Sequence, residues 1–122
     1  MDKSQALQSF WSGFGLPAYD STDVPDTAQM PYITYSVMTD SLGYVVNMNA
    51  SLWYRSTSWK DISRKADQIA EAIVKMSPPS IQLDHGRLYI AKGTPFAQRM
   101  SDEDGNVRRI YLNIQAEFLT AY

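Results

Sequence analysis

The chain has 122 residues, a formal net charge of −2 and no cysteine, which suits a single domain over 1–122 with one buried core and excludes disulfides and thiolate metal sites. A pI near 5.2, with basic residues scattered apart from Arg64-Lys65 and Arg108-Arg109, argues against a surface that holds nucleic acid by neutralising phosphates. No apolar run approaches the roughly 20 residues needed to cross a bilayer, and no basic start with a following apolar stretch opens the chain, so the expectation is a protein without a membrane partner, made in the cytosol.

Asp2 is placed to cap a first helix running to about Trp11 or Ser12, whose apolar face is Ala6, Leu7, Phe10 and Trp11. Gly13 and Gly15 bracket Phe14, and Pro17 closes the segment. With no strand before it and no third glycine after it, this Gly-x-Gly reads as a helix stop and not a phosphate loop. Ala18 to Met30 reads as irregular. Its Asp20, Asp23 and Asp26 lack the alternating oxygen ligands, central glycine and terminal glutamate of a calcium loop, and read as a solvated connection.

Two strands follow, approximately Tyr32–Thr39 and Leu42–Tyr54, joined by a turn at Asp40-Ser41 short enough to predict an antiparallel hairpin. In the second strand Leu42, Tyr44, Val46, Met48, Leu52 and Tyr54 fall on one face, which predicts a core face. Trp53 falls on the other. Ser58-Trp59-Lys60-Asp61 resembles a capping box with Asp in place of Glu, opening a helix over about 58–76. Its stripe is Ile62, Ala66, Ile69, Ala70 and Ile73, and Ser77-Pro78-Pro79 ends it. Ile81 and Leu83, then Leu88 and Ile90, alternate around an Asp84-His85-Gly86 turn. Gly93 to Asn106 reads as a long polar loop with an acidic tip, Asp102-Glu103-Asp104-Gly105. A last strand places Ile110, Leu112, Ile114, Ala116 and Phe118 on one face. The sum is an α+β domain: an antiparallel or mixed sheet of four to five strands, with the main amphipathic helix packed on one face and an N-terminal helix beside it.

No pattern points to catalysis. The lone histidine, His85, sits in a predicted turn, and no Walker loop, nucleophile elbow or zinc-protease motif is present. An enzyme reading would need Asp84, His85, Asp102, Glu103 and Asp104 to converge in one pocket. The acidic tip reads as a charged turn or as a divalent-ion site, and the flanking Arg99, Arg108 and Arg109 as surface charge or as partners for a neighbouring subunit. Eight tyrosines and three tryptophans fit either a tyrosine-rich sheet or an interface. On the interface reading the candidate contacts are Trp11, Phe14, Trp53, Arg99, Asp102, Glu103, Asp104, Arg108 and Arg109. No catalytic, cofactor or metal site is expected.

The order of motifs resembles the small tail-terminator or tail-completion proteins of long-tailed bacteriophages. It comprises an N-terminal helix, Met30-Pro31-Tyr32-Ile33-Thr34-Tyr35, a long strand, a Ser-x-x-Asp helix start with Ala66-Asp67-Gln68-Ile69, and the closing Arg109-Ile110-Tyr111-Leu112-Asn113-Ile114-Gln115-Ala116-Glu117-Phe118. The resemblance implies a non-enzymatic virion protein: a homo-oligomer, by the family a hexameric ring, capping the tail tube at the head–tail junction. Its partners would be the tail-tube and head–tail connector proteins, and it would reside in the host cytoplasm during assembly. DNA would pass without specific binding, which a mildly acidic chain suits. The alternatives are a soluble α+β protein-binding module or assembly chaperone, and a small enzyme.

Overall fold

The structure, a computed structural model, describes residues 1–38 and 45–120. Its organising strand is the last one. β6 (Val107–Thr120) pairs along one side with β3 (Val45–Arg55) and along the other with β5 (Gly86–Met100), antiparallel in both cases. Period-2 alternation then sends Ile110, Leu112, Ile114, Ala116 and Phe118 into the core, as expected. β3 adds Met48, Ala50 and Leu52 to the same face, with Val46 and Tyr54 half-buried. The strand pairs Tyr32–Tyr35 (β2) with Ala50–Trp53 as the predicted hairpin. The turn at Asp40-Ser41, and Leu42 and Tyr44 of the expected core face, lie outside the described residues.

β2 stops at Tyr35, short of the expected Thr39. Ser36 still donates its N–H to Asn49 O at 2.9 Å, but the Ser36 hydroxyl accepts from Asn49 N–H at 3.1 Å. A side chain thus takes the place of the next backbone rung.

The α+β class stands, with six strands instead of the expected four to five, lying in the order β1 (Ala18–Asp20), β2, β3, β6, β5 and β4 (Ser80–Leu83). The sheet is mixed because β1 runs parallel to β2. β1 lies in the stretch read as irregular; three residues are too few to show a strand period. β4 and β5 form the expected hairpin around Asp84-His85. A second expectation is corrected here: Gly93 to Met100 is not loop but the distal half of β5, and only residues 101–106 connect it to β6. Apart from Phe96, which packs against the core, this half is exposed at nearly every position, so neither face carries an apolar set. A register irregularity between Lys92 and Ala97 breaks what alternation remains.

α1 (Lys3–Ser12) is capped by Asp2, whose side chain accepts from Gln5 N–H at 2.8 Å while Gln5 Oε1 accepts from Asp2 N–H at 3.0 Å. The helix touches β1 at one edge of the sheet and β4 at the other. Gln8 Nε2 donates to Ala18 O at 3.0 Å, and Asp84 N–H donates to Met1 O at 2.8 Å. The sheet therefore curls around α1, which is why Ala6, Leu7 and Trp11 are almost wholly buried.

α2 (Lys60–Lys75) lies across β5, β6 and β3 and buries Ile62, Ala66, Ile69 and Ile73, with Ala70 half-buried. Each isoleucine removed from water contributes roughly 1.5–3 kcal/mol. The predicted capping box does not form: Trp59 occupies the cap position without a side-chain bond, and Ser58 Oγ accepts from Lys60 N–H at 3.1 Å. Lys65 Nζ donates to Phe14 O at 2.8 Å, tying the end of α1 to α2. Both helices cover the same face of β6, leaving the face of Arg109, Tyr111, Asn113 and Gln115 without a helix.

Candidate functional site

Seven of the nine sequence-predicted contacts, all but Trp11 and Phe14, gather at one end of the sheet, where β3 ends, α2 begins and β5 turns into β6. Arg108 and Arg109 are adjacent on β6 and therefore leave its two faces. On the helix-free face Arg109 pairs in register with Trp53, and its guanidinium lies 4.6 Å from the indole centroid. Arg109 Nε donates to Ser51 Oγ at 3.1 Å, and Trp53 Nε1 donates to Thr34 Oγ1 at 2.9 Å. Tyr32 stands 6.5 Å from Trp53 and Tyr19 stands 5.7 Å from Tyr32, ring centre to ring centre. The result is a row Tyr19–Tyr32–Trp53–Arg109 crossing four strands, with the Trp53 and Arg109 N–H groups hydrogen-bonded and its rings half-buried.

On the helix side Trp59 is the platform. The guanidiniums of Arg99 and Arg108 lie 4.8 and 5.3 Å from its ring centre, within the range of cation–π attraction. Arg108 also clamps backbone: Nη2 donates to Thr57 O at 2.7 Å, and Nη1 donates to Gly105 O at 3.0 Å. This joins the β3–α2 connection to the β5–β6 turn. Arg108 Nε is buried without an acceptor, the one such side-chain atom among the described residues. Beside it, burial first and the Asp61 carboxylate second hold the Tyr54 hydroxyl above the ordinary tyrosine range.

The acidic tip is a built turn. Asp102 Oδ1 accepts from Asp104 N–H at 2.9 Å, Asp104 Oδ1 accepts from Asn106 N–H at 2.8 Å, and Arg55 Nη1 stands 3.6 Å from Asp104 Oδ2. Asp102, Glu103 and Asp104 are exposed. Among the described residues no group of three or more His, Cys, Asp or Glu side chains is placed to hold a metal ion.

Two expected contacts lie elsewhere. Trp11 and Phe14 are core residues, 1% and 9% exposed. They pack edge-on and tilted against Phe10 and each other, because α1 is enclosed by the curled sheet instead of lying on its surface. His85 and Asp84 occupy the β4–β5 turn, separated from the acidic tip by the full length of β5, so the five-residue constellation an enzyme reading needs does not assemble. Asp84 is held below the ordinary carboxylate range, mainly by its hydrogen bond from the Met1 amino group. Trp59 and Arg55 are the residues sequence reasoning missed. Two tryptophans six residues apart around a strand–helix junction, opposite an Arg-Arg pair opening a strand, are the signal that points to them.

A curled, mixed six-stranded sheet with both helices on one face defines the class as an α+β fold with one face open. No family model matches the sequence, and no curated protein matches it. Among solved structures, a chain from the virion of a native gene transfer agent (GTA) particle is similar, with a TM-score of 0.63 over 96% of this chain and 91% of that one. At 20% identity this establishes a shared fold.

Proposed function

We propose that the chain is a non-enzymatic structural protein of a phage-like virion, and that it caps the tail tube as a ring of copies at the head–tail junction. The observation that carries this reading is the fold shared, over nearly the whole of both chains, with a component of a gene transfer agent virion. The family resemblance of the sequence supplies the finer assignment: a tail terminator, hexameric, meeting the tail-tube and connector proteins, with DNA passing through and no cofactor. The Arg–Trp end supports it physically. Tryptophan and arginine dominate the energetic centres of protein interfaces, and here they are held in fixed positions by hydrogen bonds and register.

Electron microscopy of the purified chain mixed with its cognate tail tubes tests the assignment. A closed ring at one end of each tube is the expected image. Bare tube ends with the chain still monomeric would refute it. The Tyr19–Tyr32–Trp53 row on the helix-free face favours one second reading, an assembly chaperone that binds through the open sheet. That reading predicts a chain present on assembly intermediates and absent from finished particles.

A further inference from the structure

Charge is sorted laterally across this sheet. From Ser4 to Tyr54 the sequence holds Asp20, Asp23, Asp26 and Asp40 and no lysine or arginine. From Gly86 to Met100 it holds Arg87, Lys92 and Arg99 and no acid. The strand order places β1 and its following turn at one side and β5, fringed by the short β4, at the other.

The acidic side is a built surface. Thr22 donates both its N–H and its hydroxyl to Asp20 Oδ1, at 3.0 and 2.8 Å, and Ser21 N–H donates to Tyr35 O at 2.8 Å. Asp23 and Asp26 project into solvent.

The basic side has an open strand edge. β4 pairs with β5 over Gly86–Tyr89, and Ile90 N–H reaches Pro79 O at 3.0 Å. Among the described residues no strand pairs with the outer side of β5 from Ala91 to Met100. An uncovered edge presents unpaired backbone donors and acceptors to another chain. Lys92 and Arg99 are exposed along it, and a shallow groove runs between Ala97–Arg99 and α2, with Asp67 on the α2 wall offsetting part of the positive charge. The Arg99 guanidinium carbon lies 4.8 Å from the Trp59 ring centre, which positions a cation able to pair with a carboxylate.

We propose that the outer edge of β5 receives the acidic β1 side, Asp20 to Asp26, of a second copy of this chain. Complementary charge selects the pairing. Docking β5 edge against β5 edge sets Lys92 and Arg99 against their own copies, and docking acid side against acid side does the same with Asp23 and Asp26. Opposite signs meet only when unlike sides join. Such a contact is heterologous and propagates, closing into a ring when the rotation between copies allows. This inference rests on the self-assembling reading above and names the surfaces that would make it.

Sedimentation velocity at low salt tests it, with two charge-reversed chains, Lys92→Glu/Arg99→Glu and Asp23→Lys/Asp26→Lys. Each alone is expected to weaken association at least about tenfold. An equimolar mixture is expected to give heterodimers through the one native pair of surfaces, and all four reversals in one chain to restore assembly. Lys92→Glu alone, at an exposed site away from Trp59, guards against misfolding of the Arg99 variant. Because the chain has no cysteine, Ser21→Cys and Ala97→Cys chains mixed under mild oxidation give a second readout, a disulfide-linked heterodimer. Wild-type oligomers that tolerate both reversals and form no such disulfide overturn this inference and leave the ring reading standing. A wild-type chain that stays monomeric even with tail tubes present overturns both.

Discussion

Gly93→Ala tests the seam where β5 slips along β6. Lys92 pairs with Ile114 and Ala97 with Leu112, so β5 advances five residues while β6 advances two. The surplus is accommodated by bringing the β5 backbone down onto Asn113. A Cβ at position 93 would stand 2.8 Å from Asn113 Cβ, 3.0 Å from its carbonyl oxygen and 3.1 Å from its carbonyl carbon. Ordinary carbon contacts lie at about 3.5–4.0 Å, and two of these three atoms are backbone, which no rotamer change can move. Relief therefore requires the strands to part by several tenths of an ångström, pulling on the bond from Asn113 Nδ2 to Pro95 O at 3.0 Å. Overpacking of this kind costs about 1–3 kcal/mol, and loss of that hydrogen bond adds about 1 kcal/mol. The expected destabilisation is thus about 2–4 kcal/mol. For a domain of this size that corresponds to a fall in Tm of roughly 8–16 °C. Denaturant unfolding reads it as a lower midpoint at unchanged slope. Gly105→Ala is the control: nothing lies within 4 Å of its added methyl, and its stability should stay within about 0.5 kcal/mol of wild type. If the two variants prove indistinguishable, the close approach at Asn113 does not constrain the fold.

Arg108→Met keeps an unbranched apolar stem but removes the donors to Thr57 O and Gly105 O. It should cost about 1–2 kcal/mol and speed amide hydrogen exchange in the 56–59 and 104–106 turns together. Arg108→Lys should recover only part, since a single ammonium lacks the planar fork that reaches both carbonyls; unchanged exchange in either turn would remove the clamp. The Tyr54 hydroxyl is raised by burial and then by Asp61, so its contribution to stability is full below the unfolded tyrosine value, near 10, and is lost as pH rises through the folded value. Tyr54→Phe should flatten the alkaline loss of stability without abolishing it, because Tyr35 is shifted the same way by burial and by Asp20. Asp61→Asn should lower the alkaline midpoint of Tyr54 in an absorbance titration, and no shift would show that Asp61 does not reach it.

The elements legible in the sequence are those whose side chains see two different environments. β3, β6 and α2 each set one face on the core and one outside it, so period 2 and period 3.6 are written directly into Met48, Leu52, Ile110 to Phe118, and Ile62 to Ile73. Where the environment is uniform the period vanishes. Apart from Phe96, the distal half of β5 is exposed at nearly every position on both faces, and its strand geometry is imposed by pairing with β6. The same reasoning explains Trp11 and Phe14. The helical stripe predicts which face of α1 is apolar, but the sheet's closure onto it from both edges is a long-range event with no local mark.

The candidate site depends on register one level further. That Arg108 and Arg109 leave opposite faces of a strand follows from adjacency alone. That Arg109 meets Trp53 requires the pairing that sets residue 53 against residue 109, and that Arg108 meets Trp59 requires α2 to start where β3 ends. Lateral charge sorting has the same dependence. The base-free stretch from Ser4 to Tyr54 and the acid-free stretch from Gly86 to Met100 are visible in the sequence, yet sequential strands joined as neighbours would set them side by side, where they would neutralise each other. β6, the last strand, inserts between β3 and β5. That insertion moves the two charges to opposite flanks, and it is the reason an acidic chain of modest net charge can present one flank of each sign.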